Sequence, residues 1–252
     1  MGLLIIDKSM KALFIIPCAI AVSNDSNTIL NRFFQLQHTI DSIKSRFSNV
    51  EIWVLELSGN RMSDKLISLL SKDCSISHFN NSIRLHAIKE RAKNINLRVL
   101  DSIREPYELG YIKNATECMS ICTTLSLVDP KKYDRIFKIT GRYFLSNAFN
   151  IDEHNVYGKF TLKEKIKCSH GKEFTGSDYI RHCIYWSFCT SIYDDVLKIF
   201  NDINNHIDQC EKNRIIPTIE NGLEIFTNPN IINDIKETGI FGIVDNKYPY
   251  MD

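Results

Sequence analysis

The sequence predicts a single α/β domain whose first part contains a mainly parallel sheet and whose second part is mixed. Short apolar runs alternate with segments in which apolar residues recur at three- and four-residue steps, giving the order β-α-β-α-β-α-β over residues 1–150. No internal repeat, low-complexity block or Pro/Gly/Ser-rich hinge interrupts the 252 residues. We therefore expect one domain over residues 1–252, with a nucleotide-binding half (1–150) and an acceptor-binding half (151–252).

Composition narrows the possible partners. Hydrophobic residues make up 44% of the chain and charged residues 24%, enough for a core without disulfide staples. The net charge of +1 gives no overall field that would attract nucleic acid, so we expect no nucleic-acid partner. Eight cysteines without a C-x-x-C pair favour a reducing cytoplasm over a zinc ribbon or a secreted scaffold. No apolar stretch approaches ~20 residues, so we expect no transmembrane segment.

The first elements read as a βαβ unit. Leu13–Ile20 is a continuous apolar run, typical of a strand buried on both faces. Two lysines precede this run, which could instead be a signal peptide, but the amphipathic helix predicted at Ile29–Phe47 follows at once and favours a strand. Val50–Leu57 is the second predicted strand, with Glu56 at its polar tip.

The next segments complete the first half. We predict a short helix at Ser63–Ser71, capped by Ser63 or Asp64, a weak strand at Ser75–Phe79, a basic helix at 83–94, a loop at 105–111 and a helix at Lys113–Val128. The loop would place Lys113 on the first turn of the helix that follows. A helix N-terminus with a lysine on it is a favourable anion site, although a solvated lysine is an equal alternative.

The second half of the chain lacks the regular alternation of strands and helices predicted for the first half. Val156–Cys168 alternates in part, and Tyr185–Thr190 is aromatic and strand-like. The pattern predicts a helix at Tyr193–Ile207 and another that begins near Thr218. The tail from Gly239 shows no clear period, so no element is predicted there.

The strand that begins at Asp134 ends in Lys138-Ile139-Thr140-Gly141-Arg142-Tyr143. Open α/β sheets bind ligands at the carboxyl ends of their strands, and Gly141 would let the backbone come close to a ligand. Lys138 and Arg142 suit a phosphate or diphosphate, although two solvated basic residues at a strand end are an equal alternative. With right-handed crossovers this tip would meet Pro17, Glu56 and Lys113 in one cleft.

These residues also carry a resemblance to a known family. The helix pattern R-x-x-Q-x-x-x-T-I-x-S-I begins at Arg32, and K-x-T-G-R-Y is followed by Trp186-Ser187-Phe188 and by Ile219-Glu220. Over about residues 11–240 this resembles GT-A-type glycosyltransferases, in particular small bacterial and viral enzymes of lipopolysaccharide and capsule synthesis. The resemblance implies a GT-A-like Rossmann-type mixed sheet flanked by helices, a nucleotide-sugar donor and a glycan or glycoconjugate acceptor.

The resemblance also implies roles for individual residues. The nucleotide-sugar-binding residues would be Pro17, Glu56, Lys113, Lys138, Thr140, Gly141, Arg142 and Tyr143. An inverting transfer needs a carboxylate that takes the acceptor proton, and Glu220 is the first candidate and Asp178 the second.

One departure from the family concerns the metal. The family's D-x-D motif is missing after the central strand, and the nearest acidic clusters are Asp152-Glu153-His154 and Asp194-Asp195. We therefore expect no required cofactor, because Lys138 and Arg142 could neutralise the diphosphate, and we expect a divalent cation such as manganese only as an option.

Two other functions remain open. A sugar-phosphate nucleotidyltransferase would share the start of the fold, but its G-x-G-x-R loop is missing after the first strand. A non-catalytic nucleotide-sugar or glycan-binding protein could keep the whole fold without the reaction.

Overall fold

The structure is a computed structural model that describes residues 10–22, 25–58, 60, 62–79, 101–168, 177–213, 218–244 and 248–251. Its helices there are α1 (Ser26–Lys44), α2 (Asp64–Leu70), α3 (Asp101–Leu127), α4 (Ile151–His154), α5 (Tyr193–Asn213) and α6 (Ile219–Phe226). Its strands there are β1 (Ala12–Cys18), β2 (Val50–Glu56), β3 (Ser75–His78), β4 (Arg135–Ile139), β5 (Tyr143–Leu145), β6 (Phe160–Lys163), β7 (Ile166–Lys167), β8 (Tyr179–Ile180), β9 (Tyr185–Cys189), β10 (Ile232–Ile235), β11 (Ile240–Val244) and β12 (Tyr248–Met251).

Seven strands form the main sheet in the order β10-β6-β9-β4-β1-β2-β3. β1 pairs in parallel with β2 and with β4, whereas β9 runs antiparallel to β4 and to β6. All seven residues of β1 are buried, as a strand covered on both faces requires. The expected α/β fold is confirmed: one domain with a Rossmann-like mixed sheet flanked by helices.

The two faces of the sheet bury separate cores because successive side chains of a strand point to opposite sides. Leu13 and Ile15 face the side that α3 and α5 cover, and Phe14 and Ile16 face the side that α1 covers. The apolar stripe predicted for the first helix is buried there; its members include Phe33, Leu36, Ile40 and Ile43. Within the described residues, no helix is both long and apolar enough to cross a membrane.

A second, antiparallel sheet in the order β12-β11-β5 uses the tail for which the sequence predicted no element. Tyr143 of β5 pairs with Gly242 of β11. A Cβ at Gly242 would lie 2.2 Å from Cδ1 of Tyr143, so the tyrosine ring occupies the space that a larger residue would need. This contact explains why a glycine stands inside a strand here.

The predicted loop at 105–111 is wrong, because these residues lie inside α3. Lys113 is therefore in the interior of a helix that begins at Asp101, and the N-terminal anion site proposed for it does not exist. The basic segment 83–94 lies outside the described residues. The predicted cap at Ser63 is confirmed, since its side chain accepts a hydrogen bond from the backbone N–H of Leu66.

Candidate functional site

A cleft of about 350 Å³ lies at the carboxyl ends of β1, β2 and β4. Its walls come from five segments and comprise Pro17, Cys18, Ala19, Ile20, Val22, Arg32, Leu57, Ser58, Lys113, Thr116, Glu117, Thr140, Gly141 and Arg142. Five residues predicted from the sequence line this cleft together: Pro17, Lys113, Thr140, Gly141 and Arg142. The convergence of strand tips expected from right-handed crossovers is thus present in the fold.

Three cationic side chains line the cleft. Arg142 is half-buried and Lys113 is exposed, and neither makes a hydrogen bond or ion pair with another described residue. Arg32 donates from Nη1 to the carbonyl oxygen of Ala19 at 2.8 Å. Cations without an internal partner, gathered at strand ends, offer donors to an anionic ligand.

Glu56 lies under the cleft wall and does not face a ligand. Its buried carboxylate accepts hydrogen bonds from the backbone N–H of Ile20 at 3.0 and 3.2 Å and of Ser58 at 2.9 Å. Cys18 Sγ also donates to it at 3.6 Å. Glu56 therefore holds the two loops that form the wall in place.

Gly141 allows a close approach of two backbones, but the neighbour is β1 and not a ligand. Its N–H donates to the carbonyl oxygen of Pro17 at 3.0 Å, and a Cβ at this position would lie 2.8 Å from Cβ of Cys18. The glycine therefore packs the tip of β4 against the tip of β1. Tyr143 is 6% exposed and packs against Gly242, away from the cleft.

Lys138 is fully buried behind the cleft. Its Nζ lies 2.7 Å from Oε1 of Glu117, and it donates to Oγ1 of Thr140 at 3.0 Å and to the carbonyl oxygen of Cys183. Burial acts to lower the pKa of Lys138, but the charge of Glu117 and then Cys183 and Glu220 outweigh it, so the pKa is raised. Lys138 therefore stays charged, and its ammonium already has three partners: two hydrogen-bond acceptors and the carboxylate of Glu117.

Glu117 is the residue of this site that the sequence analysis missed. It is 5% exposed and lies one helical turn from Lys113 on α3, on the face that lines the cleft. The spacing of four residues between the two was the available signal. With Lys113 expected to bind an anion at a helix N-terminus, an acidic residue one turn later was not considered as part of the same site.

Glu220 lies on the first turn of α6, and the predicted helix start at Thr218 is confirmed. The hydroxyl of Thr218 caps the helix by accepting from the N–H of Asn221 at 3.0 Å. The half-buried Glu220 accepts a hydrogen bond at Oε1 from Sγ of Cys183 at 2.9 Å. Through Cys183 the structure brings Glu220 into the cluster of Lys138.

Asp178 stands apart from this cluster. It is exposed beside the β7–β8 hairpin, where its carbonyl oxygen accepts from the N–H of Cys168 at 2.8 Å. The structure therefore does not bring the second candidate base to the residues of the cleft.

The acidic cluster nearest to the central strand does not form a metal site. His154 is buried, stacks on Phe149 at 4.8 Å and bonds the hydroxyl of Tyr185 at 3.2 Å through Nδ1. Burial, and then the charge of Arg135, lower the pKa of His154 to about 3. Among the residues that the structure describes, no group of three or more His, Cys, Asp or Glu side chains is placed to hold a metal ion.

Comparison with known proteins adds little to this geometry. No family model matches the chain, and no curated protein matches it. Among solved structures, the chain is similar to the crystal structure of the protein Aq1419 from Aquifex aeolicus VF5. The two share 9% sequence identity over 91% of this chain and 88% of that chain, with a TM-score of 0.42. At this level of similarity the match carries no argument about function.

Proposed function

We propose that this protein is a cytoplasmic glycosyltransferase that moves a sugar from a nucleotide-sugar donor to a glycan or glycoconjugate acceptor. The observation that supports it best is the pair of cations, Lys113 and Arg142, that line the cleft at the strand ends and bond no other residue in the described part of the chain. A nucleoside diphosphate supplies the negative charge that such donors bind. The resemblance of K-x-T-G-R-Y to GT-A-type enzymes supports the same reading.

The proposed reaction is a single displacement with inversion. The hydroxyl oxygen of the acceptor forms a bond to the anomeric carbon while the bond from that carbon to the diphosphate oxygen breaks, and the electron pair leaves with the nucleoside diphosphate. Glu220 takes the proton of the hydroxyl. Arg142 and Lys113 stabilise the negative charge that develops on the leaving group.

The donor site is tested by replacing Arg142 with alanine. Loss of a charge-assisted hydrogen bond should weaken the binding of a nucleoside diphosphate by about 1.5–3 kcal/mol, measured by calorimetric titration with a panel of nucleoside diphosphates. Arg46→Ala is the matched control, since Arg46 lies beyond the end of α1 and bonds Asn147 at 3.1 Å. Unchanged affinity in a folded Arg142→Ala protein contradicts the proposal.

The base is tested by Glu220→Gln, which keeps the shape of the side chain and removes its basicity. Turnover should fall by about 10²–10⁴-fold while donor binding stays nearly intact. Asp178→Asn is the comparison variant and should leave turnover close to normal. Near-normal turnover of Glu220→Gln, or a product that retains the anomeric configuration of the donor, contradicts this role.

Metal dependence is tested by assaying transfer in excess EDTA. We expect activity to persist, because arginine and lysine supply fixed positive charge at the diphosphate. A loss of activity that manganese restores would assign that role to a divalent cation. A chain that binds nucleotide sugars but neither hydrolyses nor transfers them would instead be a non-catalytic binding protein.

A further inference from the structure

A continuous set of contacts joins the cleft to the first turn of α6. It runs from Glu117 on α3 to Lys138 on β4, with 2.7 Å between Oε1 and Nζ. It continues from Nζ of Lys138 to the carbonyl oxygen of Cys183, and from Sγ of Cys183 to Oε1 of Glu220 at 2.9 Å. Four residues that are distant in sequence thus form one polar chain, in which Glu117, Lys138 and Cys183 are buried and Glu220 is half-buried.

Cys183 transmits position along this chain because it makes both contacts. Its carbonyl oxygen accepts a hydrogen bond from Nζ of Lys138, and its thiol donates one to Glu220. A shift of the ammonium therefore moves the backbone that carries the thiol. The same ammonium also donates a hydrogen bond to Oγ1 of Thr140 at 3.0 Å, and Thr140 lines the cleft.

Charged and polar groups from β4 and from the segment before β9 surround Glu220. Lys138 faces it from β4, Cys183 contacts it from the segment before β9, and His182 interacts with it from the same segment. Glu117 adds a negative charge beyond Lys138, and Lys163 adds a positive charge beyond His182. Lys138 is a buried cation that contacts the carboxylate of Glu117 and interacts electrostatically with that of Glu220.

We propose that Lys138 is a positioning residue for Glu220, which it holds in one orientation through Cys183, and that it is not a ligand of the donor phosphates. Its full burial, its two hydrogen bonds and its ion pair leave the phosphate role to Arg142 and Lys113, which line the cleft and bond no other described residue. This inference rests on the proposed function only in treating Glu220 as the base.

The first test does not need activity. A double-mutant cycle combines Lys138→Met with Glu220→Gln and measures the unfolding equilibrium in urea. Residues in one network couple, so the two changes should be non-additive by about tenfold in the equilibrium constant. If Lys138→Met does not fold, the cycle is run with Glu117→Gln/Lys138→Met, which leaves no unpaired charge of the pair. Lys198→Met is the control partner, since its side chain is 75% exposed on α5 and should be additive with Glu220→Gln. Additivity at Lys138 overturns the proposal.

The second test separates positioning from phosphate binding. Lys138→Met should lower kcat by about tenfold or more, because the base loses the contacts that hold it in position. The KM for the donor should stay within about twofold, whereas loss of a phosphate ligand raises it. Cys183→Ser keeps a hydrogen-bond donor and should retain more turnover than Cys183→Ala. An unchanged kcat or a raised KM for the donor overturns the proposal.

The two tests fail separately. If no nucleotide sugar supports transfer, the proposed function fails, and the double-mutant cycle alone then decides whether Lys138 positions Glu220. If transfer is found and the cycle is additive, the function stands and the positioning role of Lys138 falls.

Discussion

The two ends of β4 each carry a buried cation, and the protein surrounds them in opposite ways. Arg135, at the first residue of the strand, donates to four neutral oxygens: Oγ and the carbonyl oxygen of Ser187, Oγ1 of Thr161 and the carbonyl oxygen of Val156. Lys138, three residues later, meets the carboxylate of Glu117. Within the described residues, no carboxylate contacts Arg135.

The electrostatic consequences differ accordingly. Burial lowers the pKa of Arg135 to about 10, so the guanidinium still carries its charge at neutral pH without a counterion. The pKa of Lys138 is raised despite its burial, because carboxylates stand beside it. A buried arginine can thus act as a purely structural clamp between β4, β9 and β6. A buried lysine held by carboxylates belongs to an ionisable network next to a cleft.

The largest loss of stability should come from breaking the ion pair between Lys138 and Glu117 at the carboxyl end of β4. Lys138→Met leaves Glu117 as an unpaired buried charge, which should cost about 3–5 kcal/mol in the free energy of unfolding measured in urea. Glu117→Gln/Lys138→Met removes both charges and should cost clearly less. If the single variant is as stable as the double variant, the pair is not the feature that distinguishes this end of β4.

A smaller loss of stability is expected at the start of β4, where Arg135 lies. Arg135→Met fills much of the same volume but leaves the oxygens of Thr161, Ser187 and Val156 without their donor, which should cost about 2–3 kcal/mol. The affinity for nucleoside diphosphates should not change, because this end of the strand lies away from the cleft. A loss of affinity as large as that of Arg142→Ala would show that the two ends are not functionally separate.

The smallest effect is a pH dependence beside Arg135. The pKa of His154 is lowered to about 3 by burial and by Arg135, against about 6.5 in an unfolded chain. The stability this group contributes is therefore fully present above pH 6.5 and falls by about 1.4 kcal/mol per pH unit as the pH drops from 6.5 towards 3. Between pH 6.5 and 5.5, wild type should lose about 1 kcal/mol more stability than His154→Gln in urea unfolding, because the unfolded histidine becomes fully protonated only towards the end of this window. An equal loss of stability in wild type and in His154→Gln would contradict the lowered pKa of His154.

Several features of the fold could be predicted from the sequence because they depend on neighbours along the chain. The continuous apolar run of β1, the apolar stripe of α1 and the caps at Ser63 and Thr218 all follow from local pattern. The location of the cleft followed as well, since strand tips of a right-handed α/β fold converge. Arg142 and Pro17 line it as expected.

Other features could not be predicted because they depend on partners from distant parts of the chain. The tail became strands through pairing of β11 with β5. Local propensity is a weak guide when tertiary contacts compensate for it.

The same limit applies inside the K-x-T-G-R-Y motif. The sequence established by itself that two cations stand four residues apart around the end of one strand, and it gave both the same role. Only the tertiary structure separated them: α3 brings Glu117 over Lys138 and buries it in an ion pair, while Arg142 lies past the strand end, in the cleft, with no described partner. The role of a charged residue is decided by what packing places against it, and a distant carboxylate leaves no mark in the local pattern.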